Sequence, residues 1–501
     1  MSSAMRFFSS VRFAVSVTLH LAMLITLMIR FNVGTAFLCM VNDGSNTTSA
    51  GQSGADASPN ATAVHQGEFD WDKAYQGWIT ATYFYAFVIF LVPGGWLVDR
   101  YGARAMLLSG MFTAGVTSLA IPELTRLHSG LLIMCRAILG ATNCVIIPSM
   151  PAVSRRWSLP GEYTTVFAIA WSGFYLGTAL NFPLATALCQ SSWGWPGVFY
   201  VAGIISMAWM VLAVVLVRND PLESGLVRGL ERDSFQHCQA STGTARKVGL
   251  GQQSRECRTG RESKSVPLLK IFTNFQVWNV AIAFTIGLWN LYSSTIAMPQ
   301  FMKTFMDFDL SQNGAISAAP YLLLTVISIL TGRLFTYLNT VRGVSKTTLR
   351  KGFNFFSNFF PAFLLLAAVL LPREQRAAAV TCLVLSIGLT ACVFTGGPYS
   401  GSSDIGPLYT ATIFSIAACL GNVPGFVIPP LLAAMTPNDS RDEWVHFVSI
   451  SVALHLFSSF YQLFFWSSKV QPFSREEPQE QEVSEAPPEY SLVVKDGQTA
   501  A

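Results

Sequence analysis

Residues 94–104 read GGWLVDRYGAR. One acid and two arginines lie in a short loop between two apolar runs, approximately 76–98 and 104–122. About 20 apolar residues span the hydrocarbon core of a bilayer. Further runs lie at approximately 13–41, 129–151, 164–187, 196–217, 273–297, 313–337, 352–371, 376–398, 407–435 and 445–467. A lone run could be a buried soluble helix, but twelve in one chain leave no room for that. Composition agrees: of 501 residues, 51% are hydrophobic and only 12% charged, against about a quarter charged in a soluble domain. The expected fold is an all-α membrane protein with twelve transmembrane helices.

The loop has an echo. GRLFTYLNTVRG (332–343) follows the eighth run as GGWLVDRYGAR follows the second. The chain therefore divides into a six-helix bundle (1–218), a basic linker (219–270), a second six-helix bundle (271–467) and an acidic tail (468–501). Linker and tail are polar and low in aromatics, and are expected to be largely disordered. Related halves are characteristic of transporters whose substrate site lies between them near the midplane.

Charge orients the chain. With both termini in the cytosol, most of the 32 Lys and Arg residues fall in cytosolic loops, as the positive-inside rule requires. The net charge of +4 reflects these loops and is no nucleic-acid signal. The sequons at Asn46, Asn60 and Asn438 then fall outside, and the Gly/Ser-rich loop 42–75 suits glycosylation at Asn46 and Asn60. Arg6 and Arg12 resemble the basic leader of a signal peptide. However, the first run is too long, lacks a small-x-small cleavage site and is interrupted by Arg30, so it is read as the first transmembrane helix. Of nine cysteines, most lie inside spans. Only Cys39 and Cys189 fall near the outer helix ends, which permits one bridge without predicting it.

GGWLVDRYGAR resembles the G-x-x-x-D-R-x-G-x-R loop of the major facilitator superfamily, through Gly95, Asp99, Arg100, Gly102 and Arg104. The resemblance implies that these five residues form a conformational gate. The second copy keeps Gly332 but has Thr336 where an acid is usual. From about Arg30 to Phe473 the chain is similar to the organic-anion and phosphate branch that includes sialin and the vesicular glutamate transporters (anion:cation symporters). RFNVGTAFLCMVN, RRWSLPGEYTTVFAIAWSGFYLG, WGWPGVFYVAG, FMDFDLSQNGAISAAPYL and SSDIGPLYTATIFSIA carry it, in order. There are departures. RAILGATN keeps Arg136 and Gly140 but has Asn143 where the family carries an intramembrane Glu. Thr80 stands where the glutamate transporters have a His, and Gly287 where they have an Arg; Trp289 and Tyr292 remain. These departures count against the usual proton coupling. A coupling cation of another kind stays open.

Arg30 and Arg136 lie deep in their runs, and no acid is placed in any span. A central Arg costs roughly 2.5–3.5 kcal/mol on the insertion scale and normally faces the bundle interior. One reading pairs each guanidinium with backbone carbonyls, Asn32 or Asn181. The other makes Arg30 and Arg136 receptors for a carboxylate or phosphate, which guanidinium binds in planar bidentate geometry without losing its proton. Asn143, Trp289 and Tyr292 are expected to complete the substrate site; Tyr83, Phe87 and Tyr175 are further candidates, and Asn422 with Pro424 breaks the eleventh span. His20 and His455 read as packed helix residues.

No metal-ligand spacing, phosphate-cradling loop or nucleophile elbow is present in the sequence, so neither enzyme activity nor a cofactor or metal is expected. The expected function is transport of a small organic anion or phosphate by alternating access, in a plasma, endosomal, lysosomal or vesicular membrane. The alternative is a transceptor that binds an anion and signals without turnover. In the tail, Pro487, Pro488 and Tyr490 form a P-P-x-Y element for a WW domain, and Tyr490 to Val493 fits the Y-x-x-apolar sorting signal read by clathrin adaptors. The topology is testable: a protease-cleavable tag inserted within 232–264 should resist external protease in intact cells.

Overall fold

The computed structural model describes residues 7–42, 67–248, 266–304, 310–438 and 440–474. The sequons at Asn46 and Asn60 and the tail motif Pro487, Pro488, Tyr490 and Val493 lie outside the described residues. In the first half, α1 (Val11–Met40), α2 (Lys73–Tyr101), α3 (Ala103–Leu127), α4 (Ser129–Arg156), α5 (Tyr163–Gln190) and α6 (Gly194–Leu216) occupy the first six apolar runs. α7 (Gly229–Val248) lies in the linker. The second half begins with α8 (Phe275–Thr304), α9 (Leu310–Thr340) and α10 (Lys346–Leu370). Its tenth run breaks into α11 (Arg376–Leu389), α12 (Ala391–Thr395) and α13 (Ser402–Ile405), and its eleventh into α14 (Thr410–Gly421) and α15 (Pro424–Met435). α16 (Arg441–Phe465) is the last. Among the described residues ten helical stretches are apolar and long enough to cross a bilayer, and α5 and α8 fill the two remaining places. An isolated bridge, Val41 to Phe69, is the only β pairing described.

Small residues set the helix spacing. Lipid supplies no hydrophobic force between helices, so close backbone approach does the packing. A Cβ on Gly173 would lie 2.0 Å from the His20 carbonyl oxygen, and one on Gly177 would lie 2.5 Å from that of Leu24. Glycines one turn apart on α5 therefore bring α1 directly against its backbone.

The two bundles meet at the end that carries Arg100, Arg156 and Arg333, the basic face. There α2 crosses α14 and α5 crosses α9. Thr165 donates to the Gly332 carbonyl and shares a 2.8 Å hydrogen bond with Thr336. Phe7 is buried against Val166, Ile169 and Ile329, with the Arg333 guanidinium 5.3 Å from its ring centre.

The linker is described at 219–248 and 266–270, and there it contains a helix where disorder was expected; residues 249–265 lie outside the described residues. Its helix α7 uses Glu231 to cap α1: the carboxylate accepts from the Val11 and Arg12 amides at 3.1 and 3.2 Å and from Arg12 Nε at 3.0 Å. A carboxylate on free amides at a helix N-terminus is stabilising, and Arg12 also pairs with Glu162. The tail begins ordered as well, since the Gln471 amide donates to the Ile405 carbonyl at 2.8 Å.

At the far face a strap of residues 67–72 folds onto the first half. The Phe69 amide donates to Met40 and the Asn42 amide to Phe69. Phe69 stacks on Trp71 and Trp71 meets Phe37 edge-on. Glu68 accepts from Arg126 Nε at 2.9 Å and from Trp195 Nε1 at 2.7 Å. Beside it Cys39 and Cys189 form a disulfide, which the sequence permitted but did not predict. Packing of α5 on α1 brings their far ends together, and spacing along the chain does not reveal that. Desolvation raises the Glu68 carboxyl, but its hydrogen bonds to Arg126 and Trp195 outweigh it and hold the group below its ordinary value of 4.5. A depressed acid stabilises above its unfolded value and loses that contribution as pH falls through the folded one. Thermal stability of Glu68→Gln should therefore trail wild type equally at pH 7 and pH 5.5, with the gap closing only below the ordinary carboxylate range.

Candidate functional site

A cavity of about 630 Å³ lies between the halves. Its walls include Arg30, Phe31 and Phe37 of α1, Gln76, Thr80 and Phe84 of α2, and Phe174 and Thr178 of α5. The second half contributes Leu291 and Tyr292 of α8, Tyr321 of α9, Asn422 at the α14–α15 break, and Phe426 and Pro429 of α15. These residues lie near the middle or in the far-face half of their helices, whereas the two halves are in contact at the basic face. The described state is open towards the far face.

Arg30 is 3% exposed. Four rings surround its guanidinium: Phe84 at 4.8 Å, Phe87 at 5.2 Å, Phe31 at 5.5 Å and Tyr83 at 5.7 Å from their centres. Cation–π contacts of about 0.5–2 kcal/mol each together match the roughly 2.5–3.5 kcal/mol cost of a central Arg, so no carboxylate is needed to hold it. Its Nη2 donates to the Tyr292 hydroxyl at 3.1 Å, which donates to Asn422 Oδ1 at 2.6 Å. Nε has no hydrogen-bond partner among the described residues.

The break at Asn422 explains that acceptor. α14 ends at Gly421 and α15 starts at Pro424. Pro424 has no amide hydrogen to continue the ladder. Asn422 donates to the Ala418 carbonyl at 2.7 Å, which leaves its oxygen turned to Tyr292.

Arg136 differs from the expected anion receptor. Fully buried, it donates to the Ile29 and Arg30 carbonyls at 3.2 and 3.0 Å and lies 4.7 Å from the Tyr83 ring centre. It stands behind Arg30 and lines no part of the cavity, as the carbonyl-pairing reading of the sequence had it. Asn143 is also buried and turned to its own helix, donating to Leu139 at 2.9 Å. Trp289 donates to Ser451 of α16 at 3.0 Å, away from the cavity. Helical spacing put all three on inward faces, but an inward face of a bundle meets other helices as well as the cavity.

The loop motif is assembled at the basic face. Asp99 accepts from the Ala411 amide at 3.3 Å and from the Thr412 amide and hydroxyl at 2.7 Å, capping α14 across the domain interface. A Cβ on Gly95 would lie 2.2 Å from Ser415 Oγ, so only glycine lets α2 and α14 cross here. Gly102 turns the chain at φ +96°. Arg104 donates to the Val217 and Val214 carbonyls at the end of α6, and the Arg100 guanidinium lies 5.6 Å from the Trp96 ring centre.

An ion pair contradicts the expectation that no span carries an acid, because the span that begins at Arg376 extends to Ile405 and includes Asp404. Arg350, read from sequence as a loop residue, is fully buried, and Asp404 is 7% exposed. Arg350 Nε donates to Asp404 at 2.9 Å, Nη1 to Ser400 at 2.6 Å, and Nη2 to Thr164 of the first half at 3.2 Å. Arg350 lies two residues before the apolar run 352–371 and Asp404 between the runs 376–398 and 407–435; those positions carry no information on pairing.

Two six-helix bundles closed at one face, with a cavity between them open at the other, form the architecture of a secondary transporter. The chain belongs to the major facilitator superfamily, whose family model matches residues 19–429. It is 27% identical over 475 residues to mouse vesicular glutamate transporter 2, covering 94% of this chain and 76% of that protein. It is 27% identical over 470 residues to human sialin, covering 92% and 90%. These relatives are transporters, not enzymes. The fold is shared with the proton:xylose symporter XylE at a TM-score of 0.59 and 14% identity, covering 91% of this chain and 97% of that one. It is also shared with the Escherichia coli fucose:proton symporter FucP, at 0.57 and 8%, covering 89% and 98%. The protein is thus a multi-pass membrane transporter.

Arg136→Met should lose about 3 kcal/mol of stability, since two buried carbonyls lose charged donors, and thermal denaturation in detergent reads this. Arg136→Lys should recover part of it, because one ammonium reaches one carbonyl.

Proposed function

We propose that the protein carries a small organic anion by alternating access, with Arg30 as its receptor. The observation that carries this is a single one: among the described residues, Arg30 is the only charged side chain on the cavity wall, and no carboxylate neutralises it. Tyr292 and Asn422 position the guanidinium from the opposite half. Similarity to the vesicular glutamate transporters supports an anionic substrate. Arg136 then acts through Arg30, by bracing the α1 backbone.

The gate follows from the contacts at the basic face. Asp99 on α14, Thr165 on Thr336, and Arg350 on Thr164 all cross between halves, so opening that face breaks them. In this reading Gly95, Asp99, Arg100, Gly102 and Arg104 form the moving hinge of the first half, and the basic face is cytosolic. Closure at one face with access from the other favours transport over a non-transporting receptor.

Uptake into liposomes tests the site. Loss of a buried charged partner costs about 2–5 kcal/mol, so Arg30→Ala should abolish uptake. Arg30→Lys should do nearly the same, because lysine keeps the charge but loses the planar fork. Asn143 does not titrate, so uptake should follow membrane potential and survive collapse of the pH gradient alone. Uptake persisting in Arg30→Ala rules out the receptor.

A further inference from the structure

The cavity wall carries more than a charge. Phe31, Phe84, Phe174 and Phe426 line it together with Tyr321, and Phe426 already stacks on Tyr85 with planes 6° apart. Its remaining polar groups, among them Gln76, Thr80, Thr178 and Asn422, are neutral. We propose that the transported anion is a monocarboxylate with a flat aromatic body, and that dicarboxylates and other dianions are rejected. This rests on the reading of Arg30 as the receptor.

The argument has three parts. One guanidinium neutralises one carboxylate; a second carboxylate enters the apolar walls with no counter-charge among the described residues, and burying an unpaired anion is strongly unfavourable. A flat ring gains from aromatic walls by offset or edge contacts at about 4.5–7 Å between centres, which an aliphatic chain does not. Length also fits. Arg30 and Phe37 are seven residues apart on one helix, about 10 Å, which accommodates a carboxylate at the closed end and a two-ring body towards the far face.

Binding to the purified full-length protein in detergent, read by ligand-dependent thermal stabilisation and by calorimetry, tests this with 2-naphthoate, naphthalene-2,6-dicarboxylate, 2-naphthamide, acetate, L-glutamate and phosphate. Naphthoate is expected to bind at least about tenfold more tightly than acetate and about a hundredfold more tightly than the dicarboxylate or glutamate. Phe426→Ser should weaken naphthoate severalfold and leave acetate unchanged; Phe426→Leu, which keeps an apolar side chain but removes the flat ring, is a second variant with the same expectation. Glutamate, phosphate or the dicarboxylate binding as tightly as naphthoate, in an Arg30-dependent manner, overturns the aromatic monocarboxylate while leaving the anion receptor standing. Naphthamide binding as tightly as naphthoate overturns both. Equal losses of naphthoate and acetate in the two Phe426 variants, or no binding by any of the six, also overturn the proposal.

Discussion

A guanidinium held in the middle of an apolar bundle without a carboxylate is the constraint on which the rest of this protein depends. A guanidinium is a permanent cation at physiological pH, so the fold must tolerate that charge in every state. It does so with quadrupoles rather than ions: four rings and one tyrosine hydroxyl. Such contacts are weaker than a buried ion pair, and that weakness has a use. An internal carboxylate would satisfy Arg30 permanently and compete with any incoming anion. The rings hold the charge without consuming its capacity for a carboxylate.

Arg136 shows the complementary solution. Its guanidinium is spent on two main-chain carbonyls of α1, one of them belonging to Arg30 itself. Two positive groups stand close together, and only one faces the cavity. The interior charge therefore has a division of labour, with one arginine shaping the helix that presents the other.

At the basic face the same physics works with acids. Asp99 caps a helix of the opposite half, and Asp404 pairs with Arg350, which also reaches Thr164 across the interface. A buried ion pair contributes little net stability against an apolar equivalent, but breaking one is costly. Such contacts suit an interface that has to be either fully made or fully open. The linker helix adds Glu231 on the amides of α1, tying the crossover segment to the first half rather than leaving it free between the two.

Hydropathy, charge asymmetry and the repeated loop were enough to read twelve helices in two halves, and the membrane-centre position of Arg30 was enough to pick out a residue of the cavity wall. These are properties of single segments in a bilayer: each span must hide its own backbone and apolar side chains whatever its neighbours do. Which inward-facing residues reach the cavity was not a property of single segments. Arg136, Asn143 and Trp289 share helical faces with cavity residues, yet packing directs them to carbonyls and to Ser451. Phe84, Phe174 and Phe426 were not singled out in the sequence; three helices from different parts of the chain bring them to one wall. The Cys39–Cys189 bridge and the Arg350–Asp404 pair likewise join residues 150 and 54 positions apart. Local pattern fixes what a helix is and how deep each residue sits. Only the crossing of helices, set by close approaches such as those at Gly173 and Gly95, decides what that residue meets.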